Sequence, residues 1–152
     1  MRTENINDPL AMDVGDKQLT RFPLIPADRL LKWEIADVDI VGTKADDTKK
    51  MIVYKSKLME DVTSTDGDLI HAGFSIINRI GITPTGERTP RNIAGDIARL
   101  CQALGLKGVN GAQIVADPKT YLEGKVYMGK TKINPEKNGF PESNAITPVP
   151  AS

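Results

Sequence analysis

The sequence predicts a small, mainly β domain with one α-helix, in the order β-β-β-α-β with room for a further strand. The length of 152 residues suits one domain and is too short for two full cores. Several segments alternate apolar and polar residues with the period of two that half-buried strands show. Only residues 90–104 have the period of an amphipathic helix. Because strands outnumber helices and do not alternate with them, a small barrel or a curled antiparallel sheet is the predicted architecture.

The first two strands are predicted at residues 31–41 and 51–59. The first alternates strictly but slips by one residue near Ala36. Since one added residue exchanges the two faces of a strand, the slip indicates a β-bulge there. In the second strand Lys55 and Lys57 share a face.

Two further β segments are predicted at residues 69–79 and 121–133. Gly73 interrupts the former, and a glycine inside a strand often marks the kind of bend that barrels need. The latter is expected to form a strand or a hairpin. A short edge strand at 145–147 is predicted to stop at Pro148.

The helix is predicted over residues 90–104, with Thr89 as N-cap and Gly105 as the left-handed C-cap. Its apolar side chains recur at helical spacing and form one stripe. The stripe consists of Ile93, Ile97, Leu100, Cys101 and Leu104. This stripe is expected to pack on the sheet, so that function is to be sought on the strands and loops.

The chain is divided into three parts on composition. Residues 1–20 are predicted to form a polar N-terminal arm, and residues 21–133 the β-barrel domain. Residues 134–152 are a proline-rich tail that contains the predicted edge strand.

Charge and cysteine usage restrict the class of protein. The formal net charge is zero, which excludes a bulk polycation but not local patches. Acidic residues are in excess in residues 1–48, and the remainder is mildly basic. A single cysteine favours a reducing compartment, and no segment resembles a signal peptide or an apolar membrane span. A cytoplasmic protein without membrane association is predicted.

The residues that catalysis usually requires are scarce. His71 is the only histidine and has no nucleophile at motif spacing, while Cys101 lies on the apolar stripe of the helix. One histidine and one cysteine cannot make a zinc site. The acidic residues of 61–68 lack the spacing of a calcium loop, and a solvated turn accounts for them. We therefore expect no enzymatic activity, no cofactor and no metal.

A site for single-stranded nucleic acid needs cations along the phosphates and flat side chains on which bases stack, and the predicted strands supply both. Two further cations flank the start of the helix, where the helix dipole favours an anion. The candidate residues are Lys32, Trp33, Lys49, Lys50, Tyr54, Lys55, Lys57, Phe74, Arg79, Arg88, Arg91, Lys125, Tyr127, Lys130 and Lys132. Each has a structural alternative, since strand lysines commonly solvate or protect an edge and aromatic side chains commonly fill a core.

The layout of residues 22–147 resembles a family of small phage-encoded proteins with an OB-like fold that bind single-stranded DNA. The similar segments are FPLIPADRLLKWEIADVDI, MIVYKSKLMEDV, the helix end ALGLKG, TYLEGKVYMGKTK and NAITPV. The resemblance implies an OB-like barrel and a role in phage DNA replication or recombination in the host cytoplasm. It also implies that the partners are single-stranded DNA, further copies of the chain or other phage replication proteins.

Two other functions stay open at this point. A phage structural or assembly protein would use its polar arm and proline-rich tail to clasp neighbouring subunits. A protein-binding inhibitor of a host factor is the third alternative.

Overall fold

The protein is mainly β and is built on one five-stranded antiparallel sheet. The computed structural model describes residues 23–42, 49–139 and 141–150, so the predicted arm at 1–20 lies outside the described residues. The elements in chain order are β1 (Leu30–Gly42), β2 (Lys50–Leu58), β3 (Val62–Thr63), β4 (Leu69–Ile70), β5 (Ser75–Gly81), α1 (Pro90–Leu104), α2 (Gly111–Ala116), α3 (Pro118–Leu122), β6 (Val126–Asn134) and β7 (Ser143–Val149). The sheet has the order β5-β2-β1-β6-β7, while β3 and β4 form a separate short hairpin.

Strand β1 is the central strand of the sheet and carries a register shift. It pairs along most of its length with β2 and, through Leu30–Glu34, with β6. The register with β2 shifts between Ile35 and Asp37, which confirms the bulge predicted near Ala36. The bulge raises the local twist of β1, which pairs with β2 on one side and with β6 on the other.

The two ends of the sheet approach each other. Strands β5 and β7 are not paired in the sheet order, yet they contact one another, and α1 packs against β5, β6 and β7. The core lies inside this curl. It contains inward residues of every strand of the sheet and the apolar stripe of α1, of which Leu104 is only partly buried.

Helix α1 has the bounds that the sequence predicts. Thr89 and Asn92 form a reciprocal capping box at its start. Gly105 ends it with φ of 72°, and its backbone N–H donates to the Cys101 and Gln102 carbonyls. Both predicted caps are confirmed.

Three predicted segments differ from the observed ones. The segment 69–79 is divided into β4 and β5, because the chain turns at Gly73 with φ of 104°. Strand β6 begins only at Val126, because Asp117 caps the short helix α3 and Gly124 turns the chain with φ of 81°.

The third difference is at the C-terminal strand, which is longer than predicted and passes through Pro148 to Val149. The expected stop at Pro148 is wrong. Among the described strands β7 pairs with β6 only, and a proline without an N–H is tolerated on such an edge strand.

In the part of the chain that the structure describes, no helix combines the length and apolar character needed to span a membrane. Across the same residues, no three His, Cys, Asp or Glu side chains are grouped so that they could hold a metal ion.

Candidate nucleic-acid interface

Three of the four aromatic candidates are buried in the core. Trp33, Tyr54 and Tyr127 are 0%, 3% and 2% exposed. Their positions on the inward faces of β1, β2 and β6 follow from strand alternation. The prediction that these three rings stack on bases is therefore wrong, because no base can reach them in this fold.

The polar atoms of two of these rings are engaged inside the protein. The Tyr127 and Ser56 hydroxyls are hydrogen-bonded at 2.6 Å, and the Trp33 indole N–H donates to the Gly129 carbonyl at 3.4 Å. Removal from water raises the pKa of Tyr54 and of Tyr127 above the ordinary value of a phenol. All three side chains stabilise the core.

Arg88 is also committed to the fold. Its Nε donates to the Gly81 carbonyl at 2.8 Å, and its guanidinium donates to Asp96 Oδ2 at 2.7 Å. These bonds join the end of β5 to α1, so the predicted phosphate contact by Arg88 is replaced by a structural role. Arg91, by contrast, is exposed in the first turn of α1.

Three of the remaining candidates, Lys55, Lys57 and Arg79, meet on the outer surface of β2 and β5. Lys55 lies between Asp37 of β1 and Ile77 of β5 in the sheet register. One pleat away, Lys57 lies opposite Ser75. In the other direction Arg79 lies opposite Val53. We name this surface the β2–β5 face; its outward residues are Met51, Val53, Lys55, Lys57, Ile77 and Arg79.

Exposed apolar area accompanies these cations. Ile77, between Lys55 and the sheet edge, is 43% exposed. A groove of about 650 Å³ runs from Ile77 and Arg79 past Phe74 to the β6–β7 connection. We name it the edge groove. Phe74 is half-buried and lines it, so Phe74 is the one aromatic candidate that is partly accessible.

Acidic side chains on β1 offset part of this charge. Glu34 lies opposite Lys57, and Asp37 lies opposite Lys55. The hydrogen bond from Lys119 Nζ at 3.2 Å, together with its positive charge, lowers the pKa of Asp37 below the usual value. Asp37 is therefore ionised at neutral pH and pairs with Lys119, and the charge of the neighbouring Lys55 lowers its pKa further.

The other predicted cations are distributed unevenly. Lys49 and Lys50 are exposed where the chain enters β2, adjoining the β2–β5 face. Lys32 and Lys130 lie outward on the β1–β6 half of the sheet, and Lys125 lies in the turn before β6. The structure does not bring these last three to the β2–β5 face. Lys132, at the far end of β6, lines a second cavity together with Arg79.

Sequence reasoning missed three residues near the face. Ile77 is not identified because the sequence predicts one strand over residues 69–79. Arg99 lies on the polar side of α1, and Asn78 carries no charge or ring, so neither matched the pattern of cations and aromatics on strands. Both line the second cavity.

No protein-family model matches this chain, and no curated protein matches it.

Proposed function

We propose that this protein is a non-catalytic, single-stranded DNA-binding protein whose sheet closes as an OB-type barrel. OB folds are five-stranded, partly open Greek-key barrels. In support, the first strand of the five-stranded sheet pairs with the second and the fourth, and the two end strands contact each other. One helix packs where those ends meet, as a plug for a partly open barrel would.

The same fold class suggests where the strand binds. Oligonucleotides on OB folds lie over the second and third strands, between the loop joining strands one and two and the loop joining strands four and five. Here these strands are β2 and β5, and the corresponding connections join β1 to β2 and β6 to β7. The observation that carries the proposal is the β2–β5 face, where Lys55, Lys57 and Arg79 surround the exposed Ile77 and adjoin the edge groove.

Binding on this face would be modest and independent of sequence. Apolar contact with Ile77 and Phe74 suits the faces of bases, while the lysines and arginine suit phosphates. Glu34 and Asp37 weaken the positive field, so affinity in the range of non-specific binding, a Kd of about 10⁻⁴ to 10⁻⁶ M at physiological salt, is expected. The biological setting we propose is phage DNA replication or recombination in the host cytoplasm.

The test is titration of a fluorescently labelled oligo-dT, followed by anisotropy at two salt concentrations. Trp33 is buried and is not a direct reporter of stacking, so the label must be on the DNA. The variant Lys55→Gln/Lys57→Gln/Arg79→Gln is compared with Lys32→Gln/Lys125→Gln/Lys130→Gln, which removes the same charge away from the face. We expect the first to lose at least about tenfold in affinity and the second less than about threefold.

Two results would contradict the proposal. One is the absence of wild-type binding at low salt. The other is an equal loss in both triple variants, since only net charge would then matter.

The alternative of an assembly protein that clasps its neighbours has less support at the C-terminus. Residues Ser143–Val149 pair with β6 of their own chain, and that segment is therefore occupied within the sheet. Sedimentation of the wild type distinguishes the two functions, because an assembly protein forms large species and a strand-binding protein does not require them.

A further inference from the structure

A cavity of about 310 Å³ lies in the gap between β5 and β7, beside α1. We name it the seam cavity. Its walls are more polar than those of the edge groove. Three cationic residues from three different elements line it: Arg79 of β5, Arg99 of α1 and Lys132 of β6.

The charges around the seam cavity do not cancel. Among the described residues that line it, Asp96 is the only carboxylate. It accepts hydrogen bonds from Arg88 at 2.7 Å and from Arg99 at 3.0 Å, so two guanidinium groups already neutralise it. Among the described residues Arg79 and Lys132 pair with no carboxylate. The cavity therefore carries excess positive charge and favours an anion.

Asn78 adds a neutral polar group with no partner. It points inward from β5, opposite Tyr54, and lines the seam cavity. Its Oδ1 is buried and has no hydrogen-bond partner within the described part of the chain. A buried polar group without a partner costs stability, so its presence needs an explanation. Rotating the amide by half a turn places the NH₂ donors where the oxygen lies, and an anion in the cavity could accept from them.

The seam cavity is continuous with the proposed path of the DNA. The seam cavity and the edge groove share Ile77, Arg79 and Ala145 as walls. A strand that follows the edge groove along β5 therefore passes the mouth of the seam cavity. The volume corresponds to roughly ten water molecules, which accommodates a phosphate group with part of its hydration shell.

We propose that the seam cavity is a phosphate-binding subsite that holds one phosphodiester group of the bound strand. Arg79, Arg99 and Lys132 supply the charge, and the Asn78 amide supplies a neutral donor. This inference rests on the proposed function for the source of the phosphate. The same cations and amide donor would bind the oxygens of a phosphate group from any source.

The direct test uses inorganic phosphate on the full-length, ¹⁵N-labelled protein. Phosphate and chloride are titrated at matched ionic strength, and amide shifts are followed by NMR. We expect the Asn78 side-chain amide and the backbone amides of Arg79 and Lys132 to shift with phosphate and not with chloride. Identical shifts with both salts, or none with either, would overturn the subsite.

Variants give a second and independent readout. Asn78→Val removes the unpartnered amide and introduces a good strand former, so we expect a higher melting temperature together with weaker phosphate binding. Arg99→Gln should weaken oligo-dT binding about three- to tenfold and reduce the salt slope by about 0.7. Lys107→Gln, an exposed change outside the seam cavity, is the matched control and should change neither quantity. A stabilised Asn78→Val that binds phosphate like the wild type would refute the proposal.

Failure of the subsite and failure of the proposed function can be told apart. If oligo-dT does not bind but phosphate-specific shifts appear, the subsite stands and takes free phosphate. If oligo-dT binds while phosphate-specific shifts are absent and Arg99→Gln behaves as the wild type, the β2–β5 face binds the strand and the subsite is wrong.

Discussion

The hydroxyl oxygens of Ser56 and Tyr127 lie 2.6 Å apart in the core, joining two strands that flank β1 without pairing with each other. Ser56 on β2 and Tyr127 on β6 are separated by 71 residues along the chain. Each hydroxyl is shielded from water by the curl of the sheet. The bond therefore fixes the two halves of the sheet relative to each other.

Removing either hydroxyl leaves its partner buried and unpaired. Tyr127→Phe and Ser56→Ala should each lower the free energy of unfolding by about 1–3 kcal/mol. The double variant should lose clearly less than the sum of the two, because no unpaired hydroxyl remains. Urea denaturation of the four proteins measures this coupling, and strictly additive losses would argue against a hydrogen bond.

The side chains around Gly129 pack too closely for any residue larger than glycine. A Cβ at this position would overlap Ile146 Cγ2 and lie 3.2 Å from Trp33 Cδ1. Gly129→Ala should cost about 1–3 kcal/mol through overpacking. The control is Gly95→Ala in α1, where no described atom lies within 4 Å of the position that a Cβ would take. This substitution should stabilise the helix by about 0.5–1 kcal/mol. Equal melting temperatures for the two variants would contradict this account of the core.

The buried tyrosines predict weaker stability at alkaline pH. Burial raises the pKa of Tyr54 and Tyr127 in the folded protein, whereas an unfolded phenol ionises near pH 10. Below that pH both states are protonated and the free energy of unfolding is unaffected. As pH rises above about 10, only the unfolded state ionises, and each tyrosine lowers the free energy of unfolding by up to about 1.4 kcal/mol per pH unit. Denaturation of wild type and Tyr54→Phe at several alkaline pH values tests this, and an unchanged slope in the variant would refute it.

Arg88 should affect stability rather than DNA binding. Arg88→Gln loses the bonds to the Gly81 carbonyl and to Asp96, and should lower the free energy of unfolding by about 1–3 kcal/mol. Arg91→Gln, on an exposed side chain nearby, should change it by less than about 0.5 kcal/mol. Thermal unfolding measures the stability of both variants, and equal melting temperatures would show that Arg88 has no structural role. Oligo-dT affinity of folded Arg88→Gln should stay within about threefold of the wild type.

The elements that the sequence predicts correctly depend on local signals. The bounds of α1 follow from its apolar period and from the caps at Thr89 and Gly105. The bulge near Ala36 follows from a slip in alternation between adjacent residues. In contrast, α2 and α3 are six and five residues long, too short to show a helical period. They depend on burial of Ile114 and Leu122 in the core, which is tertiary information.

The mainly β class, the long helix α1 and the two faces of each strand therefore follow from the sequence. Propensity, capping and alternation act within a few residues, and so they can be predicted from the chain alone. Which face of each strand points inward depends on the tertiary structure. The faces with Trp33, Tyr54 and Tyr127 are buried because the sheet curls toward the side on which α1 packs. The tertiary structure also brought Arg79, Arg99 and Lys132 to one cavity. That convergence depends on contacts between residues distant in the chain, and no local pattern records it.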